Sequence, residues 1–189
     1  MRTPHVLQFM FKDLSRKVQL FIVSGIVVAS AGSVAIFVSA HFNSQTKVVY
    51  SLDHRQNDQE IVRIINNANT YVYFAIYYFT KKEIADALVR AKQRGLVVWG
   101  IMDREASIGS NKNIIEQLRV AGIAVETQKH QDGIMHIKAL VTEKAYASGS
   151  YNWTQSATEA NDEVLEIGTN KKVHDQYLEI IKKILVANQ

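Results

Sequence analysis

Hydrophobic and polar positions change their period several times along the chain. From Val18 to Ala40 they do not alternate: 23 consecutive residues carry no formal charge and are rich in Val, Ile, Phe and Ala. At about 1.5 Å per residue a helix of that length crosses a hydrocarbon core of about 30 Å. Beyond residue 46 the pattern alternates between strand and helix. Lys47–Leu52 predicts a short strand, and Asp58–Ala68 a helix with Ile61, Ile64 and Ile65 at helical spacing. Tyr71–Phe79 is a β-branched and aromatic run without a breaker, which predicts a buried strand. Thr80 and Glu83 form a capping-box pattern ahead of a helix that reaches Arg94, with Gly95 as its stop. Leu96–Met102 predicts a strand, Asn113–Val120 a helix closed by Gly122, and Ile123–Glu126 a short strand. His136–Thr142 and Lys144–Ser148 predict two strands about a tight turn at Glu143. Glu163–Ile167 completes the strands and His174–Val186 is a closing amphipathic helix. Helices between strands imply an α/β fold with right-handed crossovers. The expected sheet is mainly parallel or mixed and flanked by helices on both faces.

Composition narrows the classes. The chain has 189 residues, 47% of them apolar and 21% charged, which excludes a disordered or fibrous protein. It has no cysteine, which excludes a disulfide scaffold, cysteine-ligated zinc, an iron–sulfur cluster and a thiol nucleophile. The sequence is basic, with a pI near 9.2. The excess is not where a polyanion would need it. Residues 1–40 hold four basic residues against one acidic, while residues 41–189 hold 18 against 17. The cations ahead of the apolar run orient it with the N-terminus in the cytoplasm. Three segments follow: a basic cytoplasmic leader over 1–17, a transmembrane anchor or uncleaved signal over 18–40, and a folded domain over 41–189. The domain is then expected on the extracytoplasmic side of an inner membrane, periplasmic in a bacterium. The rival reading is a removable signal cleaved after Ala40, which would make the domain secreted.

The chemistry gathers between residues 136 and 163. A strand has a two-residue side-chain period, so His136 and Lys138 share a face. Two polar residues at one end of the apolar run Ile137, Ala139, Leu140 and Val141 would be costly unless they serve a site. Gly149-Ser150-Tyr151-Asn152-Trp153-Thr154 follows the next strand, where small residues let donors converge. Of the aromatics in 71–79, Tyr77 is the candidate for substrate contact, being near the strand end. His130, Asp132 and His136 could suggest a metal site, but they surround Gly133 in a loop poorly suited to fixed coordination. The expectation is therefore no metal and no cofactor.

His136-Ile137-Lys138, Gly149-Ser150-Tyr151-Asn152-Trp153-Thr154 and Asn161-Asp162-Glu163, in that order, resemble the single-motif branch of the phospholipase D superfamily. The likeness is greatest to the small bacterial Nuc-type endonucleases. It covers essentially residues 46–189, including Ala75-Ile76-Tyr77-Tyr78-Phe79-Thr80 and Ala91-Lys92-Gln93-Arg94-Gly95. One departure is visible: the family's HxKxxxxD pattern has its Asp where this chain has Glu143, which puts the local turn geometry in question.

The resemblance implies the phospholipase D/nuclease fold and metal-independent phosphodiester hydrolysis. With one such motif per chain, it also implies a homodimer whose two His136 side chains share one site. One would attack phosphorus and the other would protonate the leaving oxygen. Lys138 and Asn152 would hold nonbridging oxygens, Ser150 would help bind the substrate, and Glu163 would hydrogen-bond the second nitrogen of His136. The implied partner is a nucleic acid, DNA or RNA. A lipid phosphodiesterase shares the same catalytic residues and is the alternative, made plausible by the anchor. A non-catalytic nucleic-acid-binding module would require a degenerate site, whereas His136, Lys138, Asn152 and Glu163 are all present.

Overall fold

The computed structural model describes residues 45–129 and 132–189. The expected leader over 1–17 and apolar segment over 18–40 lie outside the described residues. Among the described residues no helix is long and apolar enough to cross a membrane.

β1 (Thr46–Tyr50) passes directly into a single-turn helix, α1 (Ser51–His54), and then α2 (Asn57–Asn67). An alternation of strands and helices follows: β2 (Tyr71–Ile76), α3 (Lys82–Gln93), β3 (Val97–Met102), α4 (Ser110–Val120) and β4 (Ala124–Thr127). The second half comprises β5 (Lys138–Thr142), β6 (Tyr146–Gly149), α5 (Gln155–Glu159), β7 (Val164–Gly168) and α6 (Lys171–Ala187).

These strands form one sheet in the order β1-β7-β6-β5-β2-β3-β4. β2, β3 and β4 are mutually parallel. β5 is antiparallel to β2, β6 to β5, and β7 to both β6 and β1. The sheet is therefore mixed, the second of the two expected forms. The reason is connection length. Neighbouring parallel strands occur only where α3 and α4 supply the crossovers that join them. β5 and β6 are joined by a tight turn, which can serve only antiparallel neighbours.

Alternation along β2 sorts the two faces. Val72, Phe74 and Ile76 bury against Ile61, Ile64 and Ile65 of α2 and Ile84, Leu88 and Ala91 of α3. Tyr71, Tyr73 and Ala75 face the opposite layer, where Ile181 and Leu185 of α6 cover Ile101, Ala139 and Val141. Helices thus flank both faces, as expected. Gly100 stands opposite Phe74 in the β2–β3 register, and a Cβ there would lie 2.0 Å from the Phe74 ring. The glycine is what lets this ring fill the core.

Two local expectations are corrected. The strand predicted to reach Phe79 ends at Ile76, after which Phe79 alone re-pairs, in a parallel bridge with Trp153. The Thr80–Glu83 capping box does not form: α3 starts at Lys82 and its N-terminal neighbour Lys81 makes no side-chain cap. The N–H groups of Thr80 and Lys81 donate instead to the Trp153 carbonyl at 2.8 and 2.9 Å. A carbonyl distant in sequence takes the place that a local side chain was expected to fill.

The turn at Glu143 is tight and closed by hydrogen bonds. Thr142 shapes the turn itself, its Oγ1 accepting from the N–H groups of Lys144 and Ala145. The longer Glu143 side chain reaches over to the start of β2 and accepts from Asn69 N–H at 2.8 Å and Thr70 Oγ1 at 3.1 Å. Burial alone would raise this carboxyl, but the bonds from Asn69 and Thr70 outweigh it and hold the carboxyl below its usual range. Hydrogen bonds to charged groups are worth roughly 1.5–3 kcal/mol when shielded, and screening trims this partly exposed group to about 1 kcal/mol. Glu143→Gln is therefore expected to lower unfolding stability by about 1 kcal/mol at neutral pH. A depressed folded pKa gives stabilisation that is present above the unfolded carboxylate range and lost as pH falls through the folded value. Denaturant melts of the two proteins should accordingly converge in acid; a difference that persists there would contradict the assignment.

Candidate active site

The site is built at one end of two central strands, where β2 ends and β5 begins. His136 lies two residues before β5 and is exposed. Its approach is fixed by its neighbour. Met135 is buried, and its N–H donates to Asp103 Oδ2 at 2.8 Å and to Gln128 Oε1 at 3.0 Å. Asp103, at the end of β3 and 1% exposed, uses its other oxygen to accept from the N–H groups of Glu105 and Ala106. One buried carboxylate therefore ties the loop after β3 to the segment that delivers His136. Neither Asp103 nor Gln128 was singled out from sequence as a site residue. The available signal was an acidic residue closing an apolar strand, which is too common to identify a role.

Lys138 opens β5 opposite Ile76 and is 7% exposed. It shares a face with His136, as expected from the period of two. Its Nζ donates to the His136 carbonyl at 2.9 Å and lies 5.0 Å from the centre of the Tyr77 ring. Burial lowers the Lys138 pKa from its ordinary value, and the negative charge of Glu163 offsets part of that shift. A buried ammonium with donors still available is suited to an anionic ligand.

Tyr77 is drawn to the site, although its ring is engaged by protein groups. It packs edge-on against His136, with centroids 4.8 Å apart, and carries the Lys138 ammonium on its face. Its neighbour Tyr78 touches it with centroids 4.4 Å apart. A hydrogen bond to Tyr78, some burial, and the charges of Asp103 and Glu105 all raise the Tyr77 phenol above its usual range. It remains protonated.

Asn152 is half-buried and its amide is oriented by a backbone group. Tyr78 N–H donates to Asn152 Oδ1 at 3.1 Å. A backbone N–H can only donate, so the oxygen must face it and the Nδ2 donors point elsewhere. Trp153 continues this seam: its N–H donates to the Tyr78 carbonyl, and its own carbonyl takes Thr80 and Lys81. The Trp153 ring is fully enclosed, edge-on to Phe79 and tilted against Phe74. Asn152 is thus displayed by a core tryptophan.

Ser150 is exposed and pairs with Val164 through both its N–H and its Oγ, each at 3.0 Å. Its hydroxyl accepts from Val164 N–H, which leaves its proton to donate. Gly149 makes this approach possible, because with φ at +150° a Cβ would lie 2.1 Å from the Val164 carbonyl oxygen. Glu163 is 8% exposed, with its backbone locked on both sides by buried Ser51. Within one chain its carboxylate accepts from Asn161 Nδ2 at 3.3 Å, and the expected bond to His136 is not made. Among the described residues no hydrogen bond reaches the His136 ring. The two groups sit on different seams of the sheet, and the charge that feels Glu163 is Lys138.

His136, Lys138 and Tyr77 are therefore in direct contact, Asn152 joins them through Tyr78, and Glu163 acts on Lys138. Ser150 flanks this group through Val164. An exposed imidazole beside a buried ammonium and an oriented amide can perform nucleophilic substitution at an anionic centre. His130, considered with Asp132 as a metal ligand, lies outside the described residues.

Residues 61–185 match the family described as "Cardiolipin synthase, PLD-like domain". Over 98 residues the chain is 35% identical to the mitochondrial cardiolipin hydrolase of Danio rerio, covering 51% of this chain and 43% of that protein. The chain spans about half the length of the curated relatives it matches first. Nuc from Salmonella typhimurium, a phospholipase D family member, superposes with a TM-score of 0.70 at 26% identity, covering 75% of this chain and 94% of that one. NucT from Helicobacter pylori gives a TM-score of 0.71 at 25% identity, covering 76% of this chain and 96% of that one.

Proposed function

The chain belongs to the phospholipase D superfamily, and we propose that it is a metal-independent endonuclease that hydrolyses DNA or RNA at a site shared by two copies of the chain. The observation that carries this reading is the contact of exposed His136 with Lys138 and Tyr77, beside an Asn152 whose oxygen is taken by Tyr78 N–H so that its Nδ2 donors are left for a ligand. The near-complete overlap with Nuc and NucT favours nucleic acid as substrate. A lipid phosphodiester is the second reading, favoured by the cardiolipin hydrolase relative.

One His136 ring nitrogen attacks phosphorus, and the P–O bond to one strand fragment breaks. The departing oxygen takes a proton from the second copy's His136. That histidine, now neutral, removes a proton from water, which attacks the phosphohistidine and returns the first His136 to its starting state. Lys138 and Asn152 of both copies hold the nonbridging oxygens as charge builds on them, and Ser150 adds a hydroxyl donor. Tyr77 holds the Lys138 ammonium in place through its ring face. Glu163 works as a positioning residue, keeping Lys138 charged despite its burial.

Residues 18–40 are proposed to hold the domain at the extracytoplasmic face of an inner membrane, or to release it if cleaved after Ala40. The test of the proposed activity is to assay the purified full-length chain, with excess chelator, on single-stranded DNA, duplex DNA, RNA and cardiolipin vesicles. Nucleic-acid cleavage that survives the chelator is expected. Cleavage lost with chelator would overturn the metal-free chemistry, and turnover of lipid alone would reverse the choice of substrate.

Glu163 gives a prediction with a definite sign. Lys138 must be protonated to offset phosphate charge, so activity falls as pH rises through its pKa. Glu163→Gln removes the charge that opposes the burial shift, lowering that pKa further. The alkaline limb of kcat/KM is expected to move to lower pH. An unmoved limb in a pH–rate profile would remove Glu163 from this role.

A further inference from the structure

Tyr77 and Tyr78 adjoin in sequence but have different surroundings. The Tyr77 ring is occupied by His136, Lys138 and Tyr78 itself. The Tyr78 ring is 42% exposed, unusual for so large an aromatic side chain at the rim of a polar site. Its backbone is held on both sides by the site: the N–H donates to Asn152 Oδ1 at 3.1 Å, and the carbonyl accepts from Trp153 N–H at 3.0 Å. The backbone that carries the ring is thus fixed before any ligand arrives, and the ring leans edge-on against Tyr77. It therefore offers contact area at little cost in lost side-chain freedom.

We propose that Tyr78 is a stacking platform for an unpaired nucleobase adjacent to the scissile phosphate, which makes this site selective for single-stranded nucleic acid; this rests on the nucleic-acid reading above. The geometry supplies both parts of such a ligand. Asn152 takes the phosphate through its Nδ2 donors, and the residue that orients Asn152 presents the apolar ring. A nucleotide needs that pairing, because its anionic phosphate and its flat base lie side by side. A base paired within a duplex keeps both faces stacked on its neighbours and cannot lie on the tyrosine. A lipid headgroup has no flat ring to place there. Stacking is also tolerant of base identity, so the site would select strand state more than sequence.

The test compares the full-length wild-type chain with Tyr78→Ala and Tyr78→Trp on two single strands of equal length, one of thymidines and one with abasic sites flanking the reactive phosphate. Stacking contributes about 1–3 kcal/mol per base, so the wild type should prefer the base-bearing strand by about 5- to 150-fold in kcat/KM. Tyr78→Ala is expected to erase most of that preference, and Tyr78→Trp to keep it. Binding of the thymidine strand, read by fluorescence anisotropy in the inactive His136→Ala background, should weaken similarly when Tyr78→Ala is added. This arm reads the platform even where cleavage fails, which separates failure of this proposal from failure of the proposed activity. An unchanged strand preference in Tyr78→Ala would overturn the proposal. So would a dimer that dissociates on sedimentation in Tyr78→Ala, since the ring would then serve subunit contact.

Discussion

Replacing His136 with alanine is expected to lower turnover by about 10⁴-fold or more, with the protein still folded. The substitution removes both the attacking nitrogen of one copy and the proton donor of the other, so the loss exceeds that from a single binding group. Folding should be spared because the His136 side chain is exposed and no hydrogen bond reaches its ring among the described residues. Circular dichroism and a thermal melt should match wild type. Mixing provides a sharper readout. If one site needs two intact His136 side chains, activity in re-equilibrated mixtures of wild-type and His136→Ala chains falls as the square of the wild-type fraction. A linear fall would mean that each chain carries a complete site.

Trp153→Ala is expected to lose about 3–5 kcal/mol of stability, the range for deleting a large aromatic from a closed core. Trp153 is 1% exposed and contacts both Phe74 and Phe79, rings that link the sheet to the start of α3. For a domain of this size such a loss lowers Tm by roughly 10–15 °C. The effect should extend to chemistry, because the Trp153 backbone forms the seam that presents Asn152 and takes the first N–H groups before α3. Well below the new Tm, kcat should still be reduced, whereas Trp153→Phe should recover most of both losses. A Trp153→Ala protein with wild-type Tm would contradict the packing described here.

The sequence carried the layers well because they rest on periodicity. Ile61, Ile64 and Ile65 read as one helix face and bury as one, and the alternation in β2 divides the two sides of the sheet. His136 and Lys138 were legible for the same reason, since a period of two puts them on one face. Strand direction was not legible, because it depends on which strands become neighbours, and β5 inserts beside β2 rather than continuing the parallel run. Thr80 misled as a cap since the competing acceptor, the Trp153 carbonyl, is more than 70 residues away along the chain. Asp103 was invisible for a similar reason: its partner Met135 N–H is set by tertiary contact. Glu163 was expected on the His136 ring, and its seam with Ser51 and Asn161 instead directs its charge to Lys138.

The most direct measurement is capture of the covalent intermediate. Full-length protein is mixed with single-stranded DNA carrying a radiolabelled internal phosphate, quenched in alkali, where phosphohistidine survives, and mapped by peptide. The mechanism requires label on His136, attached to the strand fragment that retains the phosphate, and none in His136→Ala. Label on another residue, or continued turnover with no covalent adduct during it, would contradict it.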